Sequence, residues 1–369
     1  MKGVLNKNAL TGLVAANRLV SGVGFDMSHI GPASVDLAIG NELYGIQRVL
    51  TPNAQKKQTV RALLHEMGAS QPLSVEKGVV LTPGNSYIAL ASVSANFAPG
   101  MYAYANAKST TGRHFVLVRT LSDECIGYDT IDQRDRGYTG EIWLVIQPLV
   151  YPVVVSTGQC LSQLRVFTGD TRFSRDDLKM HLMTNDVLLR RNGIPYNQGE
   201  LSLESGDGTF FMTVFAPPRG FMGYRAIENL EPIDLSVSAG SVDPSNYFEP
   251  VYAEEDGTLE LLAGEYYLLS TKEIVRVPVD LSAEIRAMDT RLGIFFSHFA
   301  GFIDPGFSGT ITLEVMAPLG MTLRRGDPVA RLLFEKVVGA TDSYALTGNY
   351  AKQIQTGLPK QFTVHPTLS

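Results

Sequence analysis

Four segments from the first half of this 369-residue chain recur in the second half in the same order, which constrains the fold more than any other feature. SVDLAIG from Ser34 matches PIDLSVS from Pro232, and LTPGNSYIALAS from Leu81 matches LLAGEYYLLST from Leu261. STTGRHFVLV from Ser109 matches AMDTRLGIFF from Ala287, and IDQRDRGYTGEIWLVI from Ile131 matches IDPGFSGTITLEV from Ile303. Pairing Asp36 with Asp234, Gly84 with Gly264, Arg113 with Arg291 and Gly140 with Gly309 gives separations that drift only by loop-sized steps. One match of this kind can arise by chance, whereas four in order point to a duplicated domain. The expected division is 1–199 and 200–369, with the junction in the polar, Gly-rich run PYNQGELSLESGDG around Tyr196 to Glu204.

Within each copy, short apolar alternations are punctuated by turn residues, as 35 Gly and 19 Pro allow, and this pattern predicts antiparallel barrels or jelly-rolls. Helix is expected only near Lys7 to Val20, Thr59 to Met67 and Ser174 to Leu182. The most apolar run, LVIQPLVYPVVVS, is broken by Gln147, Pro148 and Pro152, so it reads as strands and not as a membrane span. A net charge of −6 with no Lys/Arg run argues against a nucleic-acid polymer as partner, although a few placed arginines can still hold a small anion. Cys125 and Cys160 are too few for a disulfide framework, and the N-terminal segment shows no secretory pattern, so a reducing cytoplasm is expected. The six histidines do not cluster, LHEMG at Leu64 is not His-Glu-x-x-His, and the Lys-Ser-Thr at Lys108 lacks the glycine spacing of a P-loop.

The segment GFIDPGFSGTITLEV reads as an Asp-Pro-Gly turn leading into a strand of a β-hairpin. Its alternation puts Ile311, Leu313 and Val315 on one face and Thr310, Thr312 and Glu314 on the other. Glu314 is then either a solvated strand carboxylate or a functional group, and Asp304 is either a turn organiser bonding its own backbone or a ligand reader.

With IGPASVDLAIGNEL from Ile30, TPGNSYIALAS and GIFFSHFAGFIDPGFSGTITLEV from Gly293, the sequence resembles the dCTP deaminase branch of the dUTPase superfamily across both halves. The resemblance implies a mainly β protein of tandem, distorted jelly-roll domains that form trimers, with nucleotide sites where domains meet. The activity it implies is hydrolytic deamination of dCTP to dUTP and ammonia, feeding thymidylate supply, with dUTP and dTTP as further possible ligands. On that resemblance Glu314 is the general base, and the backbone carbonyl of Ala300 orients the amino group. Asp304 reads the deoxyribose 3′-hydroxyl, Phe307 packs near the sugar, and Thr312 and Leu313 lie beside the base.

Deamination needs a water activated for attack on C4 and protons delivered to N3 and to the leaving amine, and one carboxylate in a sheltered site can shuttle all three. The His/Cys-x-Glu and Pro-Cys-x-x-Cys pattern of zinc deaminases is missing, so the reaction expected is metal-free, with Mg²⁺ riding only on the triphosphate. Lys108, Ser109, Thr110, Thr111 and Arg113 reproduce the family's phosphate motif, offering hydroxyls, backbone N–H groups and a forked guanidinium. In the second copy Arg286 and Arg291 persist, while the serine positions read Ala287 and Met288. Conversely, the first copy has Val145 where the second has Glu314, which leaves two arrangements open: a composite site using both copies, or a second domain working with its own residues. The run NYAKQIQTGLPKQF resembles the family's closing tail, with Tyr350, Lys352 and Gln355 as contacts, and PYNQGE at Pro195 is a similar candidate lid. GYTGEI at Gly137 is dUTPase-like, which keeps a dUTP diphosphatase or a bifunctional enzyme in view. A non-catalytic nucleotide sensor or structural β-oligomer is the reading from another class.

Overall fold

In a computed structural model, the described residues are 2–48, 51–69, 71–125, 127–171, 173–197, 200, 209–288, 299–339, 341–344, 348, 350–351 and 353–368. The chain divides into two units of packing. The first comprises residues 1–171 with 230–238 and 337–341, and the second 172–229, 239–336 and 342–369.

The first unit is built on one sheet whose strands run in the order Val116–Ser122, Ile142–Pro148, Ser86–Ala91, Val35–Ile46, Cys160–Thr168, Met101–Ala107, Thr130–Ile131. Gly3–Val4 pairs off this path with Cys160–Thr168. Two excursions from the second half complete the unit: Ile233–Asp234 lies parallel to Val153–Val155, and Val337 bridges Val4. Helix α1 (Lys7–Ala15) is started by Asn6, whose side chain accepts from Ala9 N at 3.0 Å. Helix α2 (Val60–Glu66) is capped by Thr59, and the Asp123 carboxylate also accepts from Val60 N at 2.8 Å, which satisfies amide groups a helix start leaves without partners. Helix α3 (Ser109–Arg113) is a single turn that the alternation of the sequence did not announce.

In the second unit the central strand is Tyr266–Arg276, flanked by Leu188–Leu189, Phe221–Ala226 and Ser308–Met316. Thr209–Thr213, Pro328–Lys336, Leu281–Arg286 and Phe302–Ile303 form the other main sheet. Their inward faces make one apolar cluster that includes Phe210, Leu269, Ile311, Leu313, Val315 and Phe334. Burying such side chains stabilises by roughly 1.5–3 kcal/mol each, which is what commits every second residue of these strands to the interior. Helix α4 (Arg175–Thr184) begins at Ser174, whose hydroxyl accepts from Asp177 N at 3.1 Å.

The register supports the duplication and corrects part of it. Val145 faces Ile88 in the first unit as Glu314 faces Leu268 in the second, and Tyr44 faces Ile88 as Tyr224 faces Leu268. The matches beginning at Leu81 and Ile131 are therefore structural equivalents. The match of SVDLAIG with PIDLSVS is not, because Asp36 pairs with Gln163 whereas Asp234 lies in a two-residue strand of the first unit. The counterpart of the long strand Val35–Ile46 is split between Thr209–Thr213 and Phe221–Ala226. The fourth match, AMDTRLGIFF, lies largely outside the described residues. Leu188 and Leu189 pair with Val275 and Ile274, so these residues and α4 pack with the second unit.

Candidate active site

Ile303 closes the strand pairing with Ala283, and the chain then turns through Asp304, Pro305 and Gly306, with Phe307 N donating to Asp304 O at 3.2 Å. Gly306 has φ +79°, and a Cβ there would collide with the Ser343 side chain, so both backbone and space require glycine. Asp304 is half-buried in this turn. Phe307 is buried in the core cluster, its ring centroid 5.8 Å from that of Tyr344.

The alternation expected for the following strand is present, with Ile311, Leu313 and Val315 in the core. The opposite face is not open to solvent: Thr310, Thr312 and Glu314 are all buried, and Glu314 is 2% exposed. The reading of Glu314 as a solvated strand carboxylate is thus overturned. What covers the face is partly the C-terminal segment. Gln353 Nε2 donates to Thr312 Oγ1 at 2.7 Å, Gly357 N donates to the same oxygen at 3.2 Å, and Thr310 N donates to Gln353 O at 2.7 Å. Gly309 lets this segment approach, since a Cβ there would lie 2.8 Å from Gln353 O.

The tail therefore engages the strand through Gln353 and Gly357, which sequence reasoning did not single out. Gln355 is exposed, and the Tyr350 hydroxyl accepts from Lys360 N at 3.1 Å, closing the tail on itself. Gln353 differs from Gln355 by two residues in an irregular segment, where no periodicity chooses between them. Lys352 and Arg291 lie outside the described residues. Ala300 is half-buried next to Gly301, whose carbonyl accepts from Ile285 N at 2.7 Å.

A second group near this strand was also unforeseen. The central strand bulges between Ser270 and Ile274, opposite Thr312 and Thr310, and Thr271 Oγ1 accepts from Ile311 N at 3.0 Å. Glu273, buried in the bulge, accepts from Thr213 N at 3.0 Å and from Thr213 Oγ1 at 2.6 Å, and burial pushes its carboxyl above the usual range. Arg191 NH2 donates to Ser270 Oγ at 3.0 Å and to Thr271 O at 2.9 Å, and burial lowers this guanidinium to about 10. An arginine two residues beyond a short strand carries no sequence signal for this role.

The phosphate-motif residues lie in and before α3. Lys108 precedes the helix with its ammonium on the Asp36 carboxylate, Ser109 and Thr110 are half-buried, and Thr111 is buried. Arg113 is only 4% exposed. In the second unit Arg286 is 39% exposed and pairs with Glu284 at 3.0 Å. The first-copy equivalents of Thr310, Thr312 and Glu314 are Glu141, Trp143 and Val145. Trp143 and Val145 are buried in an apolar cluster with Ile88, Leu121 and α2 residues Val60 and Leu64. Arg61 of α2 lies 5.2 Å from the Trp143 ring centroid and pairs with Glu42 and Glu141. Among the described residues, no three His, Cys, Asp or Glu side chains come together as a group that could hold a metal ion, and no helix is long and apolar enough to cross a membrane.

Residues 1–170 match the family model described as "2'-deoxycytidine 5'-triphosphate deaminase (DCD) N-terminal domain", and residues 196–362 match the model of the corresponding C-terminal domain. The chain belongs to the dCTP deaminase family. A crystal structure of 2'-deoxycytidine 5'-triphosphate deaminase from Agrobacterium tumefaciens is similar with a TM-score of 0.80 and 28% identity, over 92% of this chain and 96% of that one. A Nocardioides sp. protein named "dCTP deaminase, dUMP-forming" is 28% identical over 180 residues, covering 48% of this chain and 90% of the relative. A protein of the same name from Methanosphaera stadtmanae is 31% identical over 128 residues, covering 33% of this chain and 62% of the relative. This chain thus spans less than two thirds of the Methanosphaera protein's length. Within the dCTP deaminase family, these shares make both relatives roughly half as long as this chain.

Proposed function

We propose that this chain deaminates dCTP hydrolytically, with Glu314 as the group that moves the protons. The observation that carries this reading is a carboxylate buried midway along the strand Ser308–Met316 of the second copy, in a chain of the dCTP deaminase family. Shelter from water matters chemically: a carboxylate on a closed face exchanges protons with what is bound there and not with bulk solvent.

The steps balance with one water. The carboxylate takes a proton as the water oxygen bonds to C4 of cytosine, and it returns that proton to N3. It then moves the hydroxyl proton of the tetrahedral adduct to the amine, the C4–N bond breaks, and ammonia leaves a uracil ring. In this reading the carbonyl of Ala300 accepts from the substrate amine, Asp304 accepts from the 3′-hydroxyl and Thr312 lies beside the base, whereas the Leu313 side chain points into the core on the opposite face and meets the base only through its backbone. Lys108, Ser109, Thr110, Thr111 and Arg113 hold the triphosphate, which brings Mg²⁺ with it as part of the substrate. Trimeric assembly in the cytoplasm accompanies the reading.

The product is where a second reading has support. Relatives named dUMP-forming favour dUMP and pyrophosphate over the dUTP expected from the sequence, which requires a second water to cleave between the α and β phosphates. Incubation of the protein with dCTP and Mg²⁺, with ammonia and nucleotides followed in parallel and a dUTP control, separates these outcomes. Ammonia with accumulating dUTP supports simple deamination, and ammonia with dUMP and pyrophosphate supports the coupled reaction. Cleavage of dUTP without ammonia release from dCTP would overturn the proposal.

A further inference from the structure

We propose that Arg191 is a positioning residue of the Glu314 site, fastening the segment 353–357 across the strand that carries Glu314 and so setting how tightly dCTP is held. The inference rests on the reading of Glu314 given above.

The guanidinium bridges two pieces of the second unit. On one side NH2 donates to Ser270 Oγ and Thr271 O, at 3.0 Å and 2.9 Å, on the bulge of the central strand. On the other, NH1 donates to the carbonyl of Ile354. Its plane lies over Phe215, with the central carbon 3.4 Å from the ring centroid. Ser270 sits opposite Thr312 in the strand register, and Thr312 accepts from Gln353 Nε2 and Gly357 N. One five-residue segment is therefore bonded to the Glu314 strand through Gln353 and Gly357 and to the neighbouring strand through Arg191. A planar fork with donors in fixed directions can hold three acceptors and stack on a ring simultaneously, which an ammonium cannot.

The first copy supplies an internal control. Its strand Leu19–Ser21 pairs Leu19 with Ala95 as Leu188 pairs with Val275, so Gly22 occupies the position of Arg191. Gly22 offers only its main-chain N–H, which donates to Ser92 O at 2.7 Å. In that copy the corresponding strand carries Val145, and its face is closed by α2. The cation occurs in the copy that has the carboxylate, where a segment of chain and not a packed helix lies on the strand.

The test uses the full chain, with hydrogen exchange of the free protein, steady-state kinetics on dCTP and thermal melting run on Arg191→Ala, Arg191→Lys and Gln353→Ala. The expected result is about tenfold faster amide exchange in 353–357 for Arg191→Ala, a KM for dCTP that rises more than kcat falls, and partial recovery of both in Arg191→Lys. Gln353→Ala, which loosens the same segment from its other attachment, is expected to behave likewise and stands in if Arg191→Ala fails to fold. Unchanged exchange in 353–357 in a folded Arg191→Ala protein overturns the clamp. Faster exchange with unchanged KM and kcat overturns its role at the site. If Glu314→Gln is as active as the parent, the reading of Glu314 fails instead, and the exchange result still judges the clamp.

Discussion

The two copies place different chemistry at one strand position. Val145 and Glu314 face equivalent partners, Ile88 and Leu268, so the backbone offers the same ledge twice. In the first copy that ledge is filled: Trp143 and Val145 meet Val60 and Leu64 of α2, Arg61 lies over the indole, and the Trp143 N–H finds no hydrogen-bond partner among the described residues. In the second copy the ledge carries Thr310, Thr312 and Glu314 and is crossed by a segment held through hydrogen bonds. Apolar packing closes a surface permanently, whereas a hydrogen-bonded segment exchanges its bonds for water at modest net cost and can open for a ligand. The difference teaches that duplication kept the scaffold in both copies while the side chains on one face became polar in the second copy and apolar in the first.

The largest effect expected is on turnover. Glu314→Gln, which preserves shape, is expected to lower kcat for ammonia release by roughly 10²–10⁴-fold with dCTP binding retained. Activity equal to the parent would erase the distinction between the copies. The reciprocal change, Val145→Glu, puts a carboxylate into the apolar cluster of the first unit and is expected to cost about 3–5 kcal/mol, read as a lower midpoint in denaturant. A neutral Val145→Glu would show that α2 does not seal that ledge. Arg113→Ala is expected to raise KM for dCTP by roughly 10–100-fold, the worth of a charge-assisted contact, and to lower kcat as well. Parent-like kinetics would remove the phosphate role from α3.

The smallest effect is a pH slope. Burial raises the Glu273 carboxyl in the folded state, so the fold binds its proton more tightly than the unfolded chain does. That contribution is fully present below the ordinary glutamate range and is lost as pH rises through the raised value. Glu273→Gln is therefore expected to flatten the decline in stability over that window, checked by melting temperature across the pH series. Parallel profiles for parent and variant would show that Glu273 does not titrate differently on folding.

The turn and the strand after it were legible in the sequence because turn chemistry and two-residue alternation are local. The expected hairpin does not form: Phe302–Ile303 pairs with Leu281–Arg286 and Ser308–Met316 with Tyr266–Arg276, in different sheets. Asp-Pro-Gly followed by alternating Thr310 to Val315 dictates the turn and sorts side chains between faces. The repeat was legible for the same reason wherever strands kept their lengths, as at Ile88 and Leu268. It misled at Asp234, where a chance likeness to Asp36 outweighed a strand that had split in two, and only pairing partners reveal that. Helix α3 escaped notice because one turn of five residues is too short to show a helical period.

What the sequence determined by itself is the two-copy β architecture, the placing of Glu314 on the face opposite the core residues, and the loss of that carboxylate from the first copy. What the tertiary structure decided is the surroundings. It buries the Thr310 to Glu314 face, brings Gln353 and not Gln355 onto Thr312, sets Arg191 between the bulge and Ile354, and carries Ile233–Asp234 into the first unit. Alternation states which way a side chain points, but whatever lies over it comes from segments distant in sequence, brought there by the burial and hydrogen bonding of the whole chain.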